Sequence, residues 1–421
     1  MKRSGRLLAS LVMAIIILAG YALLTYFQAY NRNLAYAASD EKAFSADKAL
    51  VSANTKFAFN LFKELAAEDK NVNIFISPLS ISTALAMTYN GAEGTTKDAM
   101  AKTLEFGNMS LEKVNQEYLN LIESLENADE QVKLMIGNSI WMKQEFESFV
   151  NSSFMDRVES FYNSEAFTRD FGDPQTINEI NGWVDEKTDG KIDEMIQEID
   201  PEIVMFLINA IYFKGDWVIE FDESKTQKQD FYLSEGTTVQ VDMMSTSGNF
   251  SFYRGENFQA VRLPYGRDKI AMYIFLPDEG VSLDSFIAGL SPNTHEEYLS
   301  GFEPMNLIVN LPKFQVEYGV KRLNSVLEKL GMGIAFSPSQ ANFNGIASLP
   351  EGNLFIDYVD HKAVVKVDEK GTEAAAATIV GIGLTSVSPG FVVNRPFFFE
   401  IRDDRSGSIL FMGKILNPAQ G

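Results

Sequence analysis

The hydrophobic period changes once along this chain, and that change limits what it can fold into. From Ala46 to Leu65 the apolar residues Leu50, Phe57, Leu61, Phe62 and Leu65 recur at helical spacing. Ser80–Tyr89, closed by Asn90-Gly91, Thr95–Leu104 and Ser110–Leu125 repeat the pattern. Strand signals then take over at Gln131–Met142, Ile203–Phe213, Val239–Met244, Phe258–Pro264, Lys269–Leu276 and Met305–Phe314. They return at Val364–Val367, Phe391–Val393, Phe397–Arg402 and Ile409–Lys414. Ile203–Phe213 is almost wholly apolar, which predicts a strand buried on both faces. Two later stretches read as helical: Asn178–Ile196, as two pieces about a Thr-Asp-Gly turn, and Lys321–Leu330. Helices early and strands late give an α+β fold rather than alternating βαβ units.

Composition removes whole classes of chemistry. The 421 residues include no cysteine and two histidines, His295 and His361, so disulfides, thiol nucleophiles and cysteine-zinc sites are excluded. A net charge of -21 disfavours nucleic acids and sulfated polyanions as partners. No G-x-S-x-G, phosphate loop or dinucleotide fingerprint is present, and no cofactor is implied. A hydrolase built on His361 and a serine has no nucleophile motif behind it, so the chain reads as a non-enzyme. Length alone would allow two or three domains.

Lys2, Arg3 and Arg6 precede an uncharged run from Leu7 to Phe27, about 31 Å long as a helix and enough to cross a bilayer. The expectation is a signal-anchor or signal peptide with spacer over residues 1–45, and an exported globular part over 46–421. Ala35-Tyr36-Ala37 offers a cleavage site, and a mature chain starting near Ala38 would mark a secreted form. The length of the run favours the tether, giving a cell-surface rather than a freely secreted protein.

One segment fits neither period. Gly371–Gly390 is mostly small side chains with a single charge, Glu373, and it joins two strand signals. Long structureless connections in compact proteins are usually functional or disordered. Four consecutive alanines among β-branched residues and glycines do not hold a helix. As a strand, one face would carry Thr372, Ala374, Ala376, Thr378, Val380 and Ile382, none charged. The other face would carry Glu373, Ala375, Ala377 and Ile379.

These residues resemble the serpin family over about 46–418. The motifs are Asn73–Ile81, Gly91–Thr96, Asn209–Trp217, Leu311–Phe314, His361–Ala375, Phe391–Ile401 with Asn394-Arg395-Pro396-Phe397-Phe398, and Leu410–Gly413, in order. The resemblance implies one domain of three β-sheets and eight or nine helices with an exposed reactive loop. It implies a monomeric suicide-substrate inhibitor of serine proteases. Glu369, Gly371, Thr372, Glu373, Ala374, Ala375, Ala376, Ala377 and Thr378 match the hinge. Ser77, Ser80, Asn209 and His361 match the buried polar cluster under the opening sheet, and Trp217 matches the point where the loop enters. Taken alone, His361 and Trp217 would read as ordinary core residues and Glu369 as a solvated charge. Counting from Gly371 and back from Asn394 places the reactive bond at Thr385-Ser386. Threonine there implies an elastase-like or subtilisin-like protease, whereas a one-residue slip to Leu384 admits chymotrypsin-like enzymes. The alternative function is a non-inhibitory serpin acting as a chaperone or binding protein. Bulky, charged or proline residues in the hinge would favour that alternative, and the inward-facing positions from Thr372 to Thr378 hold none.

Overall fold

A computed structural model describes residues 47–350, 352–372 and 389–420. Among these residues no helix is long and apolar enough to cross a membrane, and Leu7–Phe27 lies outside them.

Helix α1 (Lys48–Glu68) starts where the Asp47 carboxylate accepts from the Ala49 amide, and it buries Leu50, Phe57, Leu61, Phe62 and Leu65. Strand β1 (Ile74–Ile76) is wholly buried. Helix α2 (Pro78–Tyr89) follows, with Pro78 in its first turn and Ser77 as its cap. Then come α3 (Gly94–Thr103), α4 (Leu111–Glu126) and β2 (Val132–Lys143). Helix α5 (Ser152–Tyr162) and strand β3 (Ser164–Arg169) precede α6 (Pro174–Lys187).

The second helical piece expected before Ile196 does not form. The Asn181 side chain takes the backbone bonds instead, accepting from the Met195 and Ile196 amides and donating to the Ile196 carbonyl. Strands β4 (Met205–Asp216), β5 (Gln227–Tyr232), β6 (Thr238–Arg254), β7 (Phe258–Tyr265) and β8 (Ile270–Pro277) follow. The short helices α7 (Leu283–Gly289) and α8 (Pro292–Ser300) lead into β9 (Glu303–Pro312) and β10 (Phe314–Glu317).

The helix expected over Lys321–Leu330 is a correction. Lys321–Arg322 is a strand, β11, and only Asn324–Leu327 is α-helical, α9. The next turn widens at Glu328–Met332, where Gly331 takes a φ of 109° that ends regular winding. The chain finishes with β12 (Asp360–His361), β13 (Val364–Val367), β14 (Gly371–Thr372), β15 (Gly390–Val392), β16 (Phe397–Asp403) and β17 (Ser408–Ile415).

The described strands form three sheets of nine, six and two strands. The nine-stranded sheet runs β1-β17-β16-β8-β7-β6-β9-β15, with β5 on β6. Every residue of β8 and β17 is buried. Phe75 of β1 stacks on Phe411 of β17 at 5.2 Å, so the two ends of the fold share one core. Burying a phenylalanine contributes about 1.5–3 kcal/mol. The six-stranded sheet runs β10-β13-β14-β4-β2-β3, and β11 pairs β12.

Strand β4 departs from the two-faced burial its sequence predicts: Met205, Leu207 and Asn209 are only half-buried, alternating with buried Phe206, Ile208 and Ala210. All six line a partly open cavity, so this part of the strand borders open space rather than a packed neighbour.

Candidate functional site

Among the described residues, the six-stranded sheet leaves most of one edge of β4 unpaired. On one side β4 pairs with β2 along its whole length, from Met205↔Met142 to Gly215↔Val132. On its other side, among the described residues, it meets only β14, through Gly371↔Asp216 and Thr372↔Gly215. Strand β13 is bound by β10 and touches β14 at Val367↔Thr372 alone. Alongside β4 lies a cavity of about 440 Å³. Residues 204–210 line one wall, residues 352–362 the other, and Ser80, Ile81, Ala84 and Leu85 of α2 contribute the floor. A strand edge next to such a space offers backbone donors and acceptors to an added strand.

The upper end of this opening is held by a set of bonds to the hinge. Trp217 donates from its backbone amide to the Lys370 carbonyl at 2.7 Å and from its indole to the Asp368 carbonyl at 3.0 Å. The Glu369 carbonyl accepts from the Phe221 amide. Its carboxylate is buried, accepts from the Thr226 hydroxyl at 2.7 Å and pairs with the Lys313 ammonium at 2.8 Å. Burial alone would raise this carboxyl; the bonds from Lys313 and Thr226 outweigh it and hold it below the ordinary range. Gly371 has a steric reason to be glycine, because a Cβ there would sit 2.1 Å from the Gly215 carbonyl oxygen. Thr372 is 3% exposed, so the first inward-facing position is already inside the sheet.

The lower part is held by a buried polar cluster. The Ser77 amide donates to His361 Nε2 at 3.1 Å, and the Ser77 hydroxyl donates to the Leu410 carbonyl at 2.7 Å. The Ser80 amide donates to the Ser77 hydroxyl, and the Ser80 hydroxyl reaches the Asn209 carbonyl at 3.5 Å. Asn209 donates to the Asn138 side chain at 2.7 Å, and Asn138 donates to the Tyr162 carbonyl. Burial pushes His361 down to about 4, so it is neutral near pH 7 and accepts at Nε2 with its proton on Nδ1. The bond it accepts comes from a backbone amide, and the nearby Ser77 hydroxyl is spent on a carbonyl rather than offered to the ring as a nucleophile would be.

The fold therefore brings Ser77, Ser80, Asn209 and His361 into one cluster, and Trp217, Glu369, Gly371 and Thr372 into another. Glu373, Ala374, Ala375, Ala376, Ala377, Thr378, Leu384, Thr385 and Ser386 lie outside the described residues. The described residues break off at Thr372 in the six-stranded sheet and resume at Pro389, whose carbonyl accepts from the Ile308 amide at the edge of the nine-stranded sheet. Asn138, Thr226 and Tyr265 stand in none of the sequence motifs. Lys313 stands inside a strand motif, but nothing local to it signals a partner as distant in sequence as Glu369.

Among the described residues, β4 thus leaves most of one edge unpaired below the docked Gly371-Thr372 pair. The family profile described as Serpin (serine protease inhibitor) matches residues 52–418. The chain belongs to the serpin family, a family of protease inhibitors rather than enzymes. It is 37% identical over 380 residues to a serine protease inhibitor of Mus musculus, covering 88% of each protein. It is 33% identical over 370 residues to an alpha-1-antitrypsin-like protein of Tamias sibiricus, covering 87% of this chain and 88% of that one. Among solved structures, the thermophilic serpin tengpin in its native state matches with a TM-score of 0.81 at 33% identity, covering 89% of this chain and 95% of tengpin. Human thyroxine-binding globulin matches with a TM-score of 0.79 at 32% identity, covering 88% and 98%.

Proposed function

We propose that this chain is a suicide-substrate inhibitor of serine proteases that is cut at Thr385-Ser386. The attacking serine of the protease forms an ester with the Thr385 carbonyl, and the Ser386 amine leaves with the carboxyl-terminal fragment. Residues after Thr372 then enter the space between β4 and β13 as a new strand. The protease, still esterified to Thr385, is carried along and distorted before water can cleave the ester. The observation that supports this reading is the open edge of β4, with Gly371 and Thr372 already paired at its top. Adding about 14 residues to a sheet gains roughly 1 kcal/mol net per ladder hydrogen bond. The total is on the order of 10 kcal/mol, comparable with the stability of a whole domain.

The small, β-branched Thr385 suits an elastase-like or subtilisin-like partner with a shallow specificity pocket. The test is incubation with such a protease, followed by denaturing electrophoresis and mass spectrometry. The expected result is an SDS-stable complex and a released fragment beginning at Ser386. A fragment beginning at Thr385 would move the specificity residue to Leu384. Cleavage with no complex at any protease ratio would favour the non-inhibitory binding protein.

A further inference from the structure

Tyr265 is the last residue of β7, in the nine-stranded sheet, yet its one polar side-chain atom serves the hinge of the six-stranded sheet. Its ring is fully buried, stacked on Trp217 at 4.3 Å and set edge-on to Phe213 of β4 at 5.0 Å. Its hydroxyl lies 2.8 Å from the Thr372 hydroxyl, and both groups are buried. Burial pushes the phenol far above its usual range, so it stays protonated and able to donate. The Glu369 ion pair lies on the other side of Gly371, which has no side chain to contribute. At the first inward position the phenol thus provides a side-chain bond from the sheet to the hinge.

We infer that Tyr265 is a positioning residue for loop insertion: its hydroxyl holds Thr372 docked between β4 and β13 and so sets the partition between trapping and turnover. The inference rests on the inhibitory reading above. A docked hinge needs no search before insertion begins, so zipping can start when the reactive bond opens. A hinge freed from the phenol spends part of its time outside the sheet. Insertion then starts later, and more of the acyl-enzyme is hydrolysed.

The test uses the intact chain with Tyr265→Phe, Thr372→Val, Thr372→Ser and the double variant Tyr265→Phe/Thr372→Val. Tyr265→Phe keeps the ring that packs on Trp217 and Phe213. Hydrogen exchange of peptides covering 364–372 and 211–217 should quicken roughly three- to tenfold in Tyr265→Phe and in Thr372→Val, the range for one net hydrogen bond. Thr372→Ser should match wild type, and the double variant should exchange no faster than either single. The stoichiometry of inhibition against an elastase-like protease should rise in the same order and be restored in Thr372→Ser. Wild-type exchange in Tyr265→Phe, additive effects in the double variant, or a Thr372→Ser that behaves like Thr372→Val would overturn the assignment. The two readings fail differently. A wild type that traps no protease removes the inhibitory function. Normal trapping with unchanged hinge exchange in Tyr265→Phe removes the latch alone.

Discussion

On the proposed inhibitory function, Thr372→Arg should convert the protein from an inhibitor into a substrate. Thr372 is buried between β4 and β13 with its hydroxyl on Tyr265, so any side chain at this position must enter the core for the loop to insert. Threonine brings a methyl and one hydrogen-bonding group. Arginine would bring a charge into a space bounded by the buried rings of Tyr265 and Phe213, at an effective cost of several kcal/mol. In the uncut protein the hinge can escape that cost by leaving the sheet, so the variant should still fold. After cleavage it cannot escape, because insertion must begin at this residue. Deacylation then wins, and the expected products are cleaved serpin and free, active protease. Cleavage at Thr385-Ser386 should proceed at the normal rate, since the bait end of the loop is untouched. Glu373→Arg is the control: in an inserted strand, alternation would put residue 373 on the opposite face, and trapping should survive. Thr372→Arg trapping protease as efficiently as wild type would sink the insertion mechanism.

Acidification should weaken the fold beneath β4 through His361. Its imidazole is held near 4 by burial, against about 6.5 for an exposed histidine. Between those values the unfolded chain binds the proton and the folded chain does not. The contribution is therefore fully present above about pH 6.5 and is lost as pH falls through about 4, by roughly 3 kcal/mol in all. Below 4 the ring is protonated in the fold as well, and Nε2 can no longer accept from the Ser77 amide. That removes one of the bonds tying α2 to the segment that leads into β13. Urea midpoints measured from pH 7.5 to pH 4 should fall more steeply for wild type than for His361→Gln, which is neutral throughout and can still accept from Ser77. Parallel pH profiles for the two proteins would show that His361 does not carry this dependence.

The class of the fold was legible because its long elements bury wide, regular stripes. Helix α1 and strands β8 and β17 needed little beyond their periodicity. The elements that escaped are those whose buried faces are narrow. Helix α5 shows only Phe154, Val158 and Tyr162 to the core, and β5 only Phe231. Such elements form because neighbours supply the rest of the packing. The helix expected at Lys321–Leu330 failed for a similar reason: Lys321 and Arg322 pair with His361 and Asp360, a long-range ladder that overrides local helical spacing.

The candidate site divides the same way. The motifs carried Ser77, Ser80, Asn209, His361, Trp217, Glu369, Gly371 and Thr372. Their partners Tyr265, Lys313, Thr226 and Asn138 are ordinary in sequence and matter only by where the sheets bring them. Glu369 shows how far a local reading can mislead. Alone it is a surface carboxylate; in the fold it is buried between Lys313 and Thr226.

The cut loop should become a strand of the six-stranded sheet, and thermal unfolding of the cleaved chain tests this most directly. Intact protein and protein nicked in the loop should be melted side by side under one set of conditions. Insertion worth on the order of 10 kcal/mol should raise the midpoint of the nicked form by roughly 13 °C. A nicked form that melts at or below the intact midpoint would mean that the loop stays outside the sheet, and trapping by strand insertion would be contradicted.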